Sequence, residues 1–292
     1  MKDFCQEKHC EAINKLFYMY GSTKIINQEQ KKAYMDANLI DLDFDTPVYR
    51  IFSLNRFLST LKNKQLCLVK PQLWDDPFEN FLMNAEGVLD DGRSVSFEQV
   101  RERYYGQCWS LKEECDGLWR NYTNYYSCKK CTESDYKNRH GKKPISVKVK
   151  STVGKLMDAF YDDQNTFHNL CYFIGKVRYV EMEEIIDYLN EANVRDTTNV
   201  KQVLSLLIKR KSFSYEEEVR LIYSSPDDDY GKVHSDIYLF GINPDNVFEE
   251  VELDPWVENK NCQTTIDLIK QFYHGQVTKS KLYDHPFFKI KL

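Results

Sequence analysis

The stretch 215-YEEEVRLIYS-224 decides how this chain is read, because three consecutive carboxylates open a segment whose apolar residues alternate with period two. In a strand Glu216, Glu218 and Arg220 point one way while Glu217, Val219 and Leu221 point the other. The segment 213-FSYEEEVRLIY-223 is therefore expected to be an interior strand whose Glu218 faces a cleft. Further along, 236-DIYLFGI-242, 247-VFEEVELD-254 and 277-VTKSKLY-283 also read as strands, with a helix at 264-TTIDLIKQFY-273 before the last of them.

Upstream the pattern alternates. Strand-like segments at 48-VYRIFS-53, 66-LCLVKP-71, 104-YYGQCWSL-111, 145-ISVKVKS-151 and 173-FIGKVRYV-180 are interleaved with helical ones. The helices are expected at 55–64 under an Asn55 cap, 117–126 with Leu118, Trp119 and Tyr122 on one side, 152–161, 183–192 and 200–211. Alternation followed by consecutive strands implies an α/β fold of the α+β kind, with a mixed, largely antiparallel sheet and flanking helices. No G-x-G-x-x-G or G-x-x-x-x-G-K-[ST] run occurs, so a Rossmann or P-loop nucleotide site has no support.

Residues 1–46 are polar apart from 11-EAINKLFYMY-20, where Ile13, Leu16, Phe17 and Tyr20 share a helical face, and they read as a helical N-terminal arm. Residues 47–292 read as a single domain with a hydrophilic, Cys-rich surface insert at 128–144. The net charge of -5 argues against coating nucleic acid by bulk electrostatics. Nine cysteines, an odd number with no secretory signal pattern ahead of them, imply reduced thiols and a cytoplasmic protein. Apolar runs such as 66-LCLV-69 and 204-LSLLI-208 are too short to span a bilayer.

Several residues could carry chemistry. Glu216 and Glu218 form an E-x-E pair, for which the plainer alternative is a solvated face with a Glu218–Arg220 ion pair. Arg50 sits in an apolar strand that would not choose a guanidinium without a partner, either an anionic ligand or a buried carboxylate. Ser110 lies where a strand meets a loop, after Trp109, and either orients a ligand or starts a turn. Cys128, Cys131 and His140 have metal-like spacing but make only half a zinc site, so no metal is expected there. Lys209 and Lys211 form a short basic run that more often is a solvated face.

Together, 48-VYRIFS-53, 68-LVKPQLWDDPFEN-80, 107-QCWSLKEECDGLWRNY-122, 208-IKRKSFSYEEEVRLI-222 and 277-VTKSKLYD-284 resemble the bacterial family called domain of unknown function 2971 over roughly residues 47–284. That resemblance implies a component of bacterial defence or mobile-element loci, with no settled chemistry. The order of Arg50, Ser110 and Glu216-x-Glu218 is in turn similar to the Arg, Ser, Glu order of ADP-ribosyltransferases. This second resemblance implies NAD as the substrate, a macromolecular acceptor (protein or nucleic acid) and an anti-phage or related role, with a regulatory protein partner a further expectation. In that case Glu218 would stabilise the ribose cation, Glu216 would help the acceptor, Arg50 would take the pyrophosphate and Ser110 would steady the ribose. Trp109 or Tyr122 would stack on nicotinamide.

Two rivals of other classes remain open. A metal-dependent nuclease would gather Asp75, Asp76, Glu79, Glu216 and Glu218 around a divalent ion with Lys209 and Lys211 near the phosphate. A non-enzymatic sensor would instead use its Trp and Tyr residues as a binding pocket.

Overall fold

The structure is a computed structural model that describes residues 11, 14–16, 18–19, 28–74, 76–89, 91–123, 145–164, 168–191, 199–225 and 235–284. Its strands in chain order are β1 (Leu39–Ile40), β2 (Pro47–Ser53), β3 (Gln65–Val69), β4 (Glu86–Val88), β5 (Ser94–Ser96), β6 (Tyr104–Ser110) and β7 (Ser146–Thr152). They continue as β8 (Tyr172–Lys176), β9 (Arg178–Val180), β10 (Ile208–Arg210), β11 (Glu218–Ser224), β12 (Ile237–Gly241), β13 (Glu250–Leu253) and β14 (Gln276–Lys279). The class is mixed α+β with a largely antiparallel, mixed sheet, as expected from the order of elements.

The chain forms two compact units, one from Met1–Thr46, Leu66–Leu111 and Thr152–Gly241, the other from Pro47–Gln65, Lys112–Ser151 and Ile242–Leu292. An arm over 1–46 and one domain over 47–292 stay a proposal.

In the first unit the strands pair in the order β1, β8, β11, β6, β3, β12. β11 is antiparallel to both β6 and β8, and every one of its residues is buried, which makes it the interior strand. Period two explains its two faces. Val219, Leu221 and Tyr223 share one face, where Tyr223 packs against Tyr172, Tyr105 and Tyr238. The other face carries Glu218, Arg220 and Ile222. Ile222 joins a buried cluster with Phe173, Leu82, Ile185, Leu204 and Leu207. A fully buried arginine and glutamate on that same face need internal partners, since an unpaired buried charge is strongly unfavourable.

Four sequence expectations shift here. The strand expected from 215 begins at Glu218, preceded by a 3-10 turn over Lys211–Glu216 and by Glu217 in the left-handed region at φ 42. The left-handed turn at Glu217 explains this: it takes the residues ahead of Glu218 out of extended backbone, and the ladder to β6 ends with Ser110 opposite Glu218 and Leu111 donating to the Glu217 carbonyl. The helix expected over 200–211 stops at Ser205, and Ile208–Arg210 instead pair in parallel with β9. The strand expected over 173–180 breaks at Val177, whose N–H turns to the Glu218 carbonyl, giving β8 and β9 in separate sheets. The helix after β2 covers Leu54–Asn63 with Ser53, not Asn55, at its N-cap.

In the second unit β7 is antiparallel to β13, which is parallel to β14. The helix Leu54–Asn63 buries Phe57 and Leu61, and Asn259–Lys270 buries Thr265 and Ile269. Phe57 packs on Phe248 with ring centroids 5.8 Å apart. No helix among the described residues is long and apolar enough to cross a membrane.

Candidate functional site

Buried charges converge at the head of β11. The Nζ of Lys209, on β10, lies 2.6 Å from Glu216, 3.0 Å from Glu79 and 3.5 Å from Glu218. Arg220 donates to the Oε2 of Glu218 from Nε at 3.0 Å and from Nη2 at 2.6 Å, to Glu79 at 2.9 Å and to the Leu206 carbonyl at 2.6 Å. All of these side chains are less than a tenth exposed. The indole of Trp74 covers the Arg220 guanidinium at 4.4 Å and the ring of Phe213 covers Lys209 at 4.7 Å. Trp74 reaches this position because Gly106 has no side chain: a Cβ there would stand 2.4 Å from the indole.

Three carboxylates thus share two cations, and their environments drive the E-x-E pair apart. Burial alone raises the Glu218 carboxyl, but the charges of Arg220 and Lys209 outweigh it and hold that group below the usual carboxylate range. For Glu216 burial wins over Lys209, so its carboxyl is pushed up. Lys209 and Arg220 are held in their charged forms, because the surrounding glutamates overcome the burial that would otherwise discharge them.

Ser110 stands opposite Glu218 in the ladder, and its hydroxyl donates to the Glu216 carbonyl at 2.6 Å. Tyr179 accepts from the Glu218 N–H at 2.9 Å, and its phenol is pushed up by burial. The Cys108 thiol bonds to Glu218 from the neighbouring strand, opposite Arg220. At the same strand ends lies a groove of about 880 Å³ lined by Leu111, Lys176, Asp36, Asp41 and Asp43, among others. Leu111 follows Ser110 and donates to the Glu217 carbonyl at 2.9 Å, and Lys176 faces Val219.

The structure therefore brings Glu216, Glu218 and Ser110 together. Trp109 lies next to Ser110 but on the alternate face of β6, fully packed, with its indole N–H donating to Gln107 at 2.8 Å. Arg50 and Tyr122 belong to the second unit, where the Arg50 guanidinium lies 5.1 Å over Phe52. Tyr122 is 44% exposed while Leu118 and Trp119 are buried, so the three do not share a buried helix side. The Glu218–Arg220 pair exists, yet it is buried and not on a solvated face. Of the residues of the nuclease alternative, Asp76 is turned away to Arg210 at 2.8 Å, and Lys211, expected near the phosphate, pairs with Glu181 at 2.7 Å. Asp75 lies outside the described residues, as do Cys128, Cys131, His140 and the 128–144 insert.

Sequence reasoning did not find Lys209 at the centre of this cluster, because an apolar run with lysines at 204–211 reads as an amphipathic helix. From the sequence Glu79 reads only as a metal ligand, and nothing there singles out Trp74 or Tyr179. The one available signal was a charge inside an otherwise apolar stretch, in 206-LLIKR-210 and again in 219-VRLIY-223.

No family model and no curated protein matches the chain, so membership of the domain of unknown function 2971 family stays a proposal. Among solved structures it is similar to Thermus sp. 2.9 DarT in complex with carba-NAD+, at 12% identity and TM-score 0.35, covering 82% of this chain and 98% of that one. The same protein in complex with NAD+ gives 12% and 0.34, covering 82% and 97%. In complex with ADP-ribosylated ssDNA it gives 15% and 0.35, covering 81% and 95%.

Proposed function

We propose that this chain is an ADP-ribosyltransferase-like enzyme that uses NAD to modify a macromolecule, with Glu218 and Glu216 as its catalytic carboxylates. The observation that carries this reading is the unequal setting of the E-x-E pair: Glu218 takes two bonds from Arg220 while Glu216 meets only Lys209, so burial pushes one carboxyl up and the cations hold the other down. Such a split assigns two roles to two like groups. Breaking the bond between ribose C1′ and nicotinamide leaves the pyridine with the bonding electron pair and the sugar as an oxocarbenium-like cation. Glu218, held ionised in a site with more carboxylates than cations, stabilises that charge. Glu216, with its raised carboxyl, takes the proton that the acceptor nucleophile loses as it bonds to C1′.

Ser110, whose hydroxyl donates to the Glu216 carbonyl, stands next to the pair, and steadying the ribose is its part in the proposal. The pyrophosphate role of Arg50 is a separate proposal, for which Arg50→Ala should weaken NAD binding by calorimetry. The metal-dependent alternative is not favoured, since the point on which Glu79, Glu216 and Glu218 converge is filled by the Lys209 ammonium. Among the described residues no group of acidic, histidine or cysteine side chains could hold a metal ion.

The test is transfer of label from NAD to macromolecules of a cell lysate. The wild-type chain should label an acceptor, and Glu218→Gln should lose at least about a hundredfold of that rate. A folded Glu218→Gln protein with full activity sinks the assignment.

A further inference from the structure

Each oxygen of Glu218 is held differently. Oε2 receives two bonds from Arg220, at 3.0 and 2.6 Å, whereas Oε1 lies 3.5 Å from Lys209. Glu216 Oε2 meets the same ammonium at 2.6 Å. Lys209 is thus the cation that touches both members of the pair. It does so from outside β11: among the described residues β10 pairs with β9 alone, with Lys209 opposite Tyr179. Its third contact, Glu79 Oε1 at 3.0 Å, is a carboxylate that Arg220 also holds, at 2.9 Å.

We propose that Lys209 is the positioning residue of the E-x-E pair: its ammonium, fixed from β10, clamps the Glu216 carboxylate to that of Glu218 without touching the reacting atoms. The roles of the two carboxylates rest on the function proposed above; the clamp does not. The titratable and charged groups facing the pair are Glu79 from the turn before Phe81, Lys209 from β10, Tyr179 from β9, Cys108 from β6 and Arg220 from β11 itself. Of these, Lys209 is the one whose removal leaves Glu216 facing only like charge and burial, because Arg220 engages Glu218 and Glu79.

Three forms of the full chain decide it: wild type, Lys209→Met and Lys209→Arg. In the first arm, which needs no NAD, the glutamate side-chain carboxyl carbons are followed by NMR through a pH titration, with Glu216 and Glu218 assigned from their Gln variants. Lys209→Met should move the titration of the pair upward by at least about one pH unit, and Lys209→Arg should return it most of the way. In the second arm, the acid limb of the pH–rate profile for NAD cleavage should move up by the same amount in Lys209→Met and return in Lys209→Arg. Should Lys209→Met fail to fold, Lys209→Met with Glu79→Gln removes one charge of each sign and keeps the cluster's balance. A smaller upward shift is expected from it, because Glu79 no longer adds its like charge.

Titration of Glu216 and Glu218 unchanged in Lys209→Met overturns the proposal. So does a uniform loss of rate with an unmoved acid limb, which would mark Lys209 as structural only. If the wild-type chain does not cleave NAD, the proposed function fails while the first arm still decides the clamp.

Discussion

Lys209 in the first unit and Lys148 in the second are both buried strand lysines held by glutamates, and their settings differ in kind. Lys148 meets Glu252, its register partner across β7 and β13, at 2.5 Å, in an uninterrupted antiparallel ladder. Its remaining bonds go to the Glu113 carbonyl at 2.7 Å and to Glu114 at 3.4 Å, and Glu114 in turn accepts from the Trp119 indole and from Ser280. Lys209 stands on a two-strand ladder apart from β11, and of its partners Glu216 ends a 3-10 turn while Glu218 follows the left-handed Glu217. A cross-strand pair in regular register needs no explanation beyond the sheet. A cluster that interrupts the strand in order to form has to be explained by something else.

Removing the buried cation of the irregular cluster should have the largest effect. Arg220→Met leaves Glu218 and Glu79 sharing Lys209 alone in a dry site, so it should cost about 3–5 kcal/mol in urea unfolding. Lys148→Met, whose carboxylates Glu114 and Glu252 are 32% and 18% exposed and can recruit water, should cost only about 1–3 kcal/mol. Equal costs would erase the distinction. Next comes the paired neutralisation. Glu218→Gln should abolish NAD-dependent labelling by the factor given above, whereas Glu252→Gln should leave it within about threefold of wild type.

Gly106→Ala should come third, at about 1–3 kcal/mol, because the new methyl group displaces Trp74 from Arg220. Its mark would be a change in tryptophan fluorescence. The smallest effect is in pH dependence, where the two regions should run in opposite directions. Glu218 titrates below its unfolded value, so its contribution is complete above the ordinary carboxylate range and is lost as the pH falls through the depressed folded value. Burial raises Glu252, so its contribution is present below the ordinary range and lost as the pH rises through the raised value. Melting curves should show Glu218→Gln converging on wild type in acid and Glu252→Gln at least matching wild type at neutral pH. The reverse pattern would contradict both assignments.

The alternation of Val219 and Leu221 with Glu218 and Arg220 was enough to read an interior strand, and the position of Ser110 at the end of β6 followed from the apolar run before it. What periodicity could not convey is where that strand starts, since this depends on the left-handed turn at Glu217. Nor could it show that 208–210 would leave a helix for a short parallel ladder. Glu79 was out of reach for a simpler reason: it meets Arg220 across 141 residues, and nothing in either neighbourhood names the other. Arg50 fits the order of an enzyme motif and Tyr122 offers an aromatic ring for stacking, but position along a chain does not say which unit a residue joins.

That separation also bears on how the molecule comes together. Glu79, Ser110, Lys209 and Arg220 meet only after loops of more than a hundred residues have closed, for Ser110 bonds to Glu216 across 106 residues. Such contacts are the slow part of folding, because the chain entropy of closure is lost before any pairing offsets it. Five charged groups must also shed their water together, since dehydrating any one of them ahead of its partners is uphill. The cluster should therefore lock late, as the final cooperative step of the first unit. Once locked it should open slowly, because one ion pair cannot separate without stranding the charges beside it.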